Sequence, residues 1–171
     1  MKVILIGYMA SGKSTIGKLL SKHFQIRFID LDQYIVEAEG MSIPEIFDQK
    51  GEIYFRRQET FYLKEVLDLN ESFVLSLGGG TPCYGNNMEL INASNSVSIY
   101  LKASIPTITG RIIAGKHKRP LVAHLSDEDI PEFIGKHLFE RQYFYNQSQE
   151  VVTTDNKTTI EVVNEILNVL A

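Results

Sequence analysis

The stretch Gly7 to Thr15, GYMASGKST, has glycines at its first and sixth positions, followed by Lys13 and Ser14. These residue types at this spacing suit the holding of a triphosphate. Glycines let the chain turn so that successive backbone N–H groups point at one anion. A helix opening at Lys13 adds the positive end of its dipole. Gly7 and Gly12 would shape the cradle for a nucleotide's phosphates, with the Lys13 ammonium on the β- and γ-phosphates and the Ser14 hydroxyl on Mg2+. The pattern carries weight only between a strand and a helix. Lys2–Ile6, KVILI, supplies a β-branched strand, and KSTIGKLLSKHF supplies a helix with Ile16, Leu19, Leu20 and Phe24 at helical spacing. The plainer alternative, a glycine-rich turn with an exposed lysine, leaves that setting unexplained.

A second constellation lies at Phe28–Asp32, FIDLD, where an apolar run ends in two carboxylates two positions apart. A strand ending in this way would push both charges toward one side, and like charges so close need a cation nearby. The third apolar run, FVLSL, ends in glycines rather than an aspartate. FIDLD is therefore the strand tip that can serve a metal beside the phosphate loop. Asp30 is assigned to Mg2+ together with Ser14, and Asp32 to a hydroxyl of the acceptor. With an ordinary aspartate pKa of about 3.9, Asp32 would be a weak base at neutral pH, so orienting the hydroxyl is the role assigned to it. The competing expectation is a capping pair for the helix that follows.

Three further features belong to the acceptor side. In GEIYFRRQE, Glu52, Arg56 and Glu59 fall at i, i+4 and i+7, so two carboxylates can fix the Arg56 rotamer. Arg57 points about 100° away, so Arg56 is the one expected in the pocket. LSLGGGTP places Gly78, Gly79 and Gly80 at a strand end, where backbone can approach a ligand closely. Arg141, in FERQYFY, would join Arg56 in clamping a carboxylate or a further phosphate. Each arginine taken alone also suits a solvated surface.

Strands alternate with helices along all 171 residues. Five strand runs (KVILI, IRFIDLD, SFVLSL, SVSIYLK, EVVTT) are apolar without alternation, as expected of strands buried on both faces. The fold class is therefore α/β: a P-loop NTPase-type three-layer α/β/α arrangement around a five-stranded parallel sheet, with ligands beyond the carboxyl ends of the strands. Ser42 with Pro44 starts a helix that stops at Gly51, and a second, longer helix begins at Glu52. Residues 1–171 read as one domain, with a mobile lid near 112–125 that includes the basic run KHKR. The apolar fraction is 44%, the charged fraction 22% and the net charge −4, so nothing draws the chain to nucleic acid or an anionic membrane. No run approaches the roughly 20 apolar residues of a membrane span. The first apolar run passes directly into the phosphate loop, which favours a folded motif over a signal peptide. The single cysteine, Cys83, rules out an intrachain disulfide. A cytoplasmic monomer is expected.

In order, Gly7-x4-Gly12-Lys13-Ser14, Asp30-x-Asp32, Gly51-Glu52-x-x-Phe55-Arg56, Gly78-Gly79-Gly80, Arg119-Pro120-Leu121 and Arg141-x3-Tyr145 resemble the shikimate kinases. The resemblance implies ATP-dependent phosphorylation of the shikimate 3-hydroxyl, a step toward chorismate and the aromatic amino acids. It implies that Asp32, Arg56, Gly79 and Arg141 bind shikimate, flanked by Gly78 and Gly80, with Phe47 and Phe55 as pocket walls. It implies that Ala10, Ser11, Gly12, Lys13, Ser14 and Thr15 hold the ATP phosphates, and that Arg119 closes over them from the lid and shares the catalytic work with Lys13 and Asp32. Arg111 would neighbour the adenine. Ala10 stands where many members have glycine, and the last twenty residues carry no motif of the family.

Several rival readings compete with this one. A gluconate-kinase-like enzyme would share the loop but take another sugar acid. A GTP switch would need Asn-Lys-x-Asp, and the nearest string is Asn156-Lys157-Thr158-Thr159. An inactive scaffold would not need the acceptor residues, and a nucleic-acid-dependent ATPase would want aromatic and basic residues interleaved.

Overall fold

Leucine, isoleucine and valine runs form the strands of the computed structural model, which describes residues 1–171. The strands are β1 (Lys2–Ile6), β2 (Arg27–Asp30), β3 (Phe73–Ser76), β4 (Val97–Lys102) and β5 (Glu150–Thr153). All neighbours pair in parallel, in the order β2-β3-β1-β4-β5. Alternate residues of a central strand enter different layers. Ile4 and Ile6 of β1 join one apolar cluster, and Val3 and Leu5 join the other.

The helices complete three layers: α1 (Lys13–Phe24), α2 (Leu31–Glu39), α3 (Ile43–Leu67), α4 (Asn87–Ala93), α5 (Ile105–Ala114), α6 (Ile130–Tyr145) and α7 (Thr159–Leu170). Helices α1 and α7 cover one face of the sheet through Ile16, Leu20, Val162 and Ile166. The other five cover the opposite face through residues such as Ile35, Leu63, Ile91, Ile112 and Ile134. Burying these side chains is the main favourable term in folding, about 1.5–3 kcal/mol for each large aliphatic group.

The expectation that every strand is buried on both faces holds for β1, β3 and most of β4, and fails at the edges. Arg27 of β2 is exposed, and in β5 only Val152 is buried. An edge strand has one neighbour, and the helical layers thin out beside it.

Helix α3 joins the two helices expected on either side of Gly51. The two halves meet at a kink, where Gly51 is non-helical at φ 85°, ψ 168°. The Ser42 hydroxyl accepts from the Glu45 backbone at 3.3 Å, and the Glu45 carboxylate accepts in return from the Ser42 N–H at 2.7 Å. This box starts the first half of the helix, and the bend at Gly51 aims the second half, which carries Phe55, Arg56 and Glu59.

The segment expected to be lid is partly helical. Helix α5 extends to Ala114, a short 3-10 turn covers Lys116–Lys118, and turns follow to Leu125. Val122 is fully buried in the core, and Lys116 pairs with Asp127 at 3.2 Å.

A Cβ at Gly51 would meet no atom within 4 Å, so only its backbone angles resist substitution. Gly51→Ala is expected to cost about 1–3 kcal/mol in urea or thermal unfolding. A loss below about 0.5 kcal/mol would mean that the bend does not need glycine.

Candidate active site

The phosphate loop joins β1 to α1 at the centre of the sheet. Gly7 has φ 155°, and a Cβ there would lie 2.7 Å from the Ser11 hydroxyl and 2.8 Å from the Leu101 carbonyl oxygen. Ala10 occupies the left-handed region at φ 61°, a conformation that costs a residue with a Cβ about 1–2 kcal/mol. Its carbonyl accepts a hydrogen bond from Arg111 Nη1 at 2.9 Å. Lys13 Nζ turns back across the loop and donates to the Gly7 and Tyr8 carbonyls at 2.7 and 2.9 Å. Burial pushes its pKa down to about 8, against the pull of Asp32 and Asp30. The Ser11 hydroxyl is buried without a partner.

The two aspartates differ in geometry from the expected strand tip. β2 ends at Asp30, and Asp32 already lies in the first turn of α2. Asp30 caps that helix, its Oδ1 accepting from the Gln33 N–H at 3.2 Å. The capping role and the metal role are therefore compatible. One oxygen holds the helix, and Oδ2 faces the Ser14 hydroxyl at 3.4 Å. Asp32 departs from an ordinary aspartate. Burial pushes its pKa up to about 6; Asp30 and Glu59 add to this, and Lys13 and Arg56 oppose it. Both aspartates line one hollow of about 330 Å3 together with Lys13, Ser14, Gly78 and Gly79.

The triple glycine brings the acceptor residues together. A Cβ on Gly78 would lie 2.9 Å from Asp32 Oδ1, one on Gly79 3.2 Å from Arg141 Nη1, and one on Gly80 3.0 Å from both terminal nitrogens of Arg56. Each glycine thus admits a different charged group. Tyr145 Oη donates to the Gly79 carbonyl at 2.5 Å, fixing the middle of the tripeptide. Arg56 Nη1 donates to the buried Glu59 carboxylate at 2.9 Å, and Glu52 lies 3.7 Å from its Nε. Arg57 is exposed, as its helical phase requires. Phe55 is buried beneath the Arg56 guanidinium, and half-exposed Phe47 packs on Phe55 with ring centroids 4.8 Å apart. Arg141 approaches the Tyr8 ring at 5.7 Å, and Tyr8 Oη is hydrogen-bonded to His137 Nδ1 at 2.9 Å. Burial raises the neighbouring Cys83 thiol to about 11, so it stays protonated at neutral pH.

On the far side of the loop, a second hollow of about 340 Å3 is lined by Ala10, Ser11, Thr15, Arg111, Arg119 and the turn after β5. Arg119 lines both hollows and donates from Nη1 to the Gly115 carbonyl at 3.2 Å. Arg111 belongs to this second hollow and is absent from the lining of the aspartate hollow. The sequence reading missed Thr154, Lys157 and Thr159, which also line it. Thr154 Oγ1 is buried and unpartnered, and Lys157 is held by Glu165. The last stretch of the chain, read as carrying no motif, thus completes one wall.

The oxygens of Ser14 and Asp30 are hard donors of the kind Mg2+ prefers. No cluster of three or more His, Cys, Asp or Glu side chains forms a metal cage anywhere in the chain. Two protein oxygens fit an ion that takes its remaining ligands from phosphates and water.

Comparison with known proteins agrees with this arrangement. The family model described as shikimate kinase matches residues 9–171. A shikimate kinase of Flavobacterium johnsoniae is 50% identical over 170 residues, covering 99% of each chain. The crystal structure of shikimate kinase from Bacteroides thetaiotaomicron superposes with a TM-score of 0.92 at 32% identity, over 99% of this chain and 98% of that one. A shikimate kinase from Acinetobacter baumannii, solved in complex with shikimate, gives 0.86 at 27% identity, over 99% and 92%. With the family model covering the phosphate loop from Met9 onward, the aspartates and both arginines, the chain belongs to the shikimate kinase family.

Proposed function

We propose that this chain transfers the γ-phosphoryl group of ATP to the 3-hydroxyl of shikimate. The observation that carries the proposal is the meeting of Asp32, Arg141 and Arg56 on Gly78, Gly79 and Gly80, directly beside the Lys13 loop. Two guanidinium groups and one carboxylate suit an acceptor that bears a carboxylate and hydroxyls. The relative solved with shikimate supports that acceptor. No observation favours gluconate.

Arg56 and Arg141 take the carboxylate, and Asp32 takes the hydroxyl to be phosphorylated. A carboxylate with a pKa near 6 is better matched to proton acceptance at neutral pH than an ordinary aspartate. Asp32 therefore orients the hydroxyl and receives its proton as the phosphoryl group transfers. The second hollow receives the nucleoside, with Arg111 and the turn after β5 as its walls. The phosphates lie over the loop N–H groups, where they offer Lys13 a stronger partner than the carbonyls it now meets. Ser14 and Asp30 Oδ2 would hold Mg2+, which when bound neutralises charge on the β- and γ-phosphates. Arg119, placed between the two hollows, stabilises the charge that develops on the transferred group. The segment from Gly115 to Leu125, which carries Arg119, acts as a lid that keeps water from the γ-phosphate.

Three measurements test this reading. In a coupled assay, ADP release should rise with shikimate and stay at background with gluconate; equal rates with both acids would reject the assigned acceptor. Arg119→Ala should lower kcat by roughly a hundredfold or more, with little change in shikimate affinity. The reverse pattern would make Arg119 an acceptor ligand.

The third test concerns Asp32 and pH. kcat/KM reports the free enzyme, so it should fall about tenfold per pH unit below about 6; a flat profile down to pH 5 would exclude Asp32 as the base. Stability follows a defined sign. The folded-state pKa lies above the ordinary value of 3.8, so the native state holds this proton more tightly than the unfolded chain. The Asp32 contribution is thus lost as pH rises from about 4 to about 6, and is level beyond. Asp32→Asn should remove that slope and raise the melting temperature above pH 6.

A further inference from the structure

Arg56 can serve an acceptor only if its guanidinium is held in one place, and its two carboxylate partners leave part of it unsecured. Glu59 takes a hydrogen bond from Nη1. Glu52 lies at 3.7 Å from Nε, beyond hydrogen-bond reach, and Nε is buried with no hydrogen-bond partner at all. A guanidinium held at one corner can still pivot about that bond.

The missing restraint is an aromatic face. The carbon at the centre of the Arg56 guanidinium lies 3.8 Å from the centroid of the Tyr84 ring, well inside the range of a cation–π contact. Phe55 lies farther off, at 5.1 Å. Tyr84 Oη donates to Glu52 Oε1 at 3.2 Å, the same oxygen that faces Arg56 Nε. Ring, carboxylate and guanidinium therefore form a closed set, in which Glu52 secures the ring that secures the arginine.

The turn that carries Tyr84 is itself anchored. Thr81 Oγ1 donates to Glu59 Oε2 at 2.7 Å, Asn87 Nδ2 to the Thr81 carbonyl at 2.8 Å, and Thr60 Oγ1 to Asn87 Oδ1 at 2.8 Å. Thr81 and Asn87 are fully buried. These bonds tie both ends of the turn to the stretch of α3 that bears Arg56. Glu59 is shared, since one of its oxygens holds Arg56 and the other holds the turn. Outside Tyr84 lies a surface hollow of about 650 Å3 whose walls include Glu52, Arg56, Arg57 and Thr60.

We infer that Tyr84, pinned by Glu52, is a positioning residue that sets the Arg56 guanidinium for the acceptor carboxylate and so governs affinity for the acid. The inference rests on the acceptor role proposed for Arg56, and the test separates the two. Tyr84→Leu keeps apolar bulk but removes the aromatic face. It should weaken shikimate binding by calorimetry about tenfold and raise the shikimate KM to match, while the ATP KM and kcat stay within about twofold. Tyr84→Phe keeps the face and should restore most of the affinity. In an Arg56→Ala background, Tyr84→Leu should cause no further loss.

Wild-type affinity in Tyr84→Leu, or a tenfold loss that persists without Arg56, would overturn the inference. If Arg56→Ala itself left shikimate binding intact, the assigned role of Arg56 would fail, and the positioning role with it. Tyr84 is partly exposed, on a turn held by other residues, so melting temperatures should stay near wild type. Should Tyr84→Leu fail to fold, Glu52→Gln, which weakens the pin on the ring, should raise the shikimate KM in the same direction, and an unchanged KM there would equally overturn the inference.

Discussion

Close packing at one tripeptide governs the site. Asp32, Arg141 and Arg56 come from three different helices, and their charged ends meet at Gly78, Gly79 and Gly80. A methyl group on any one of the three would fall within about 3 Å of a charged nitrogen or oxygen. The backbone there costs more chain entropy than a plain turn, because glycine loses the most freedom on folding. That cost is offset only if the close approach is used. β3 delivers the tripeptide beside the phosphate loop, because β3 and β1 are direct neighbours in the sheet. The topology thus decides which charges can meet.

The electrostatics follow from this crowding. Asp32 and Lys13 line one hollow, and each is pushed toward its neutral form, the acid to about 6 and the amine to about 8. Burial is the main cause for both groups, and opposite charge nearby only partly restores them. The site therefore stays close to a change of protonation on either side of neutral pH. Arriving phosphates would draw Lys13 back toward the charged form. The site's resting charge is thus set to be completed by its substrates rather than by its own ion pairs.

The sheet and most helix limits were legible because apolar runs and glycine stops are local signals. Lys2–Ile6 and Lys13–Phe24 form at the limits read from sequence. That Arg56 and Arg57 diverge, with Arg56 on the face of Glu52 and Glu59, was legible from helical phase. Other features depend on what the chain packs against. The raised pKa of Asp32 arises from burial between elements far apart in sequence. The strain at Ala10 depends on the loop geometry, and its position was legible only as a place where relatives carry glycine. Tyr84 was invisible because nothing in its neighbourhood shows that a turn will lay it over an arginine. Thr154, Lys157 and Thr159 belong to no motif, and enter the second hollow only because β5 pairs with β4 and α7 packs beside α1.

That last arrangement bears on the order of assembly. The phosphate loop is synthesised well before the turn after β5 and the start of α7, which complete one wall of the second hollow. The acceptor groups are all synthesised by Tyr145, before β5 and α7 exist. A nascent chain can therefore gather the charges around the triple glycine while the second hollow still lacks a wall. The second hollow would close only when β5 joins β4 and α7 packs against α1.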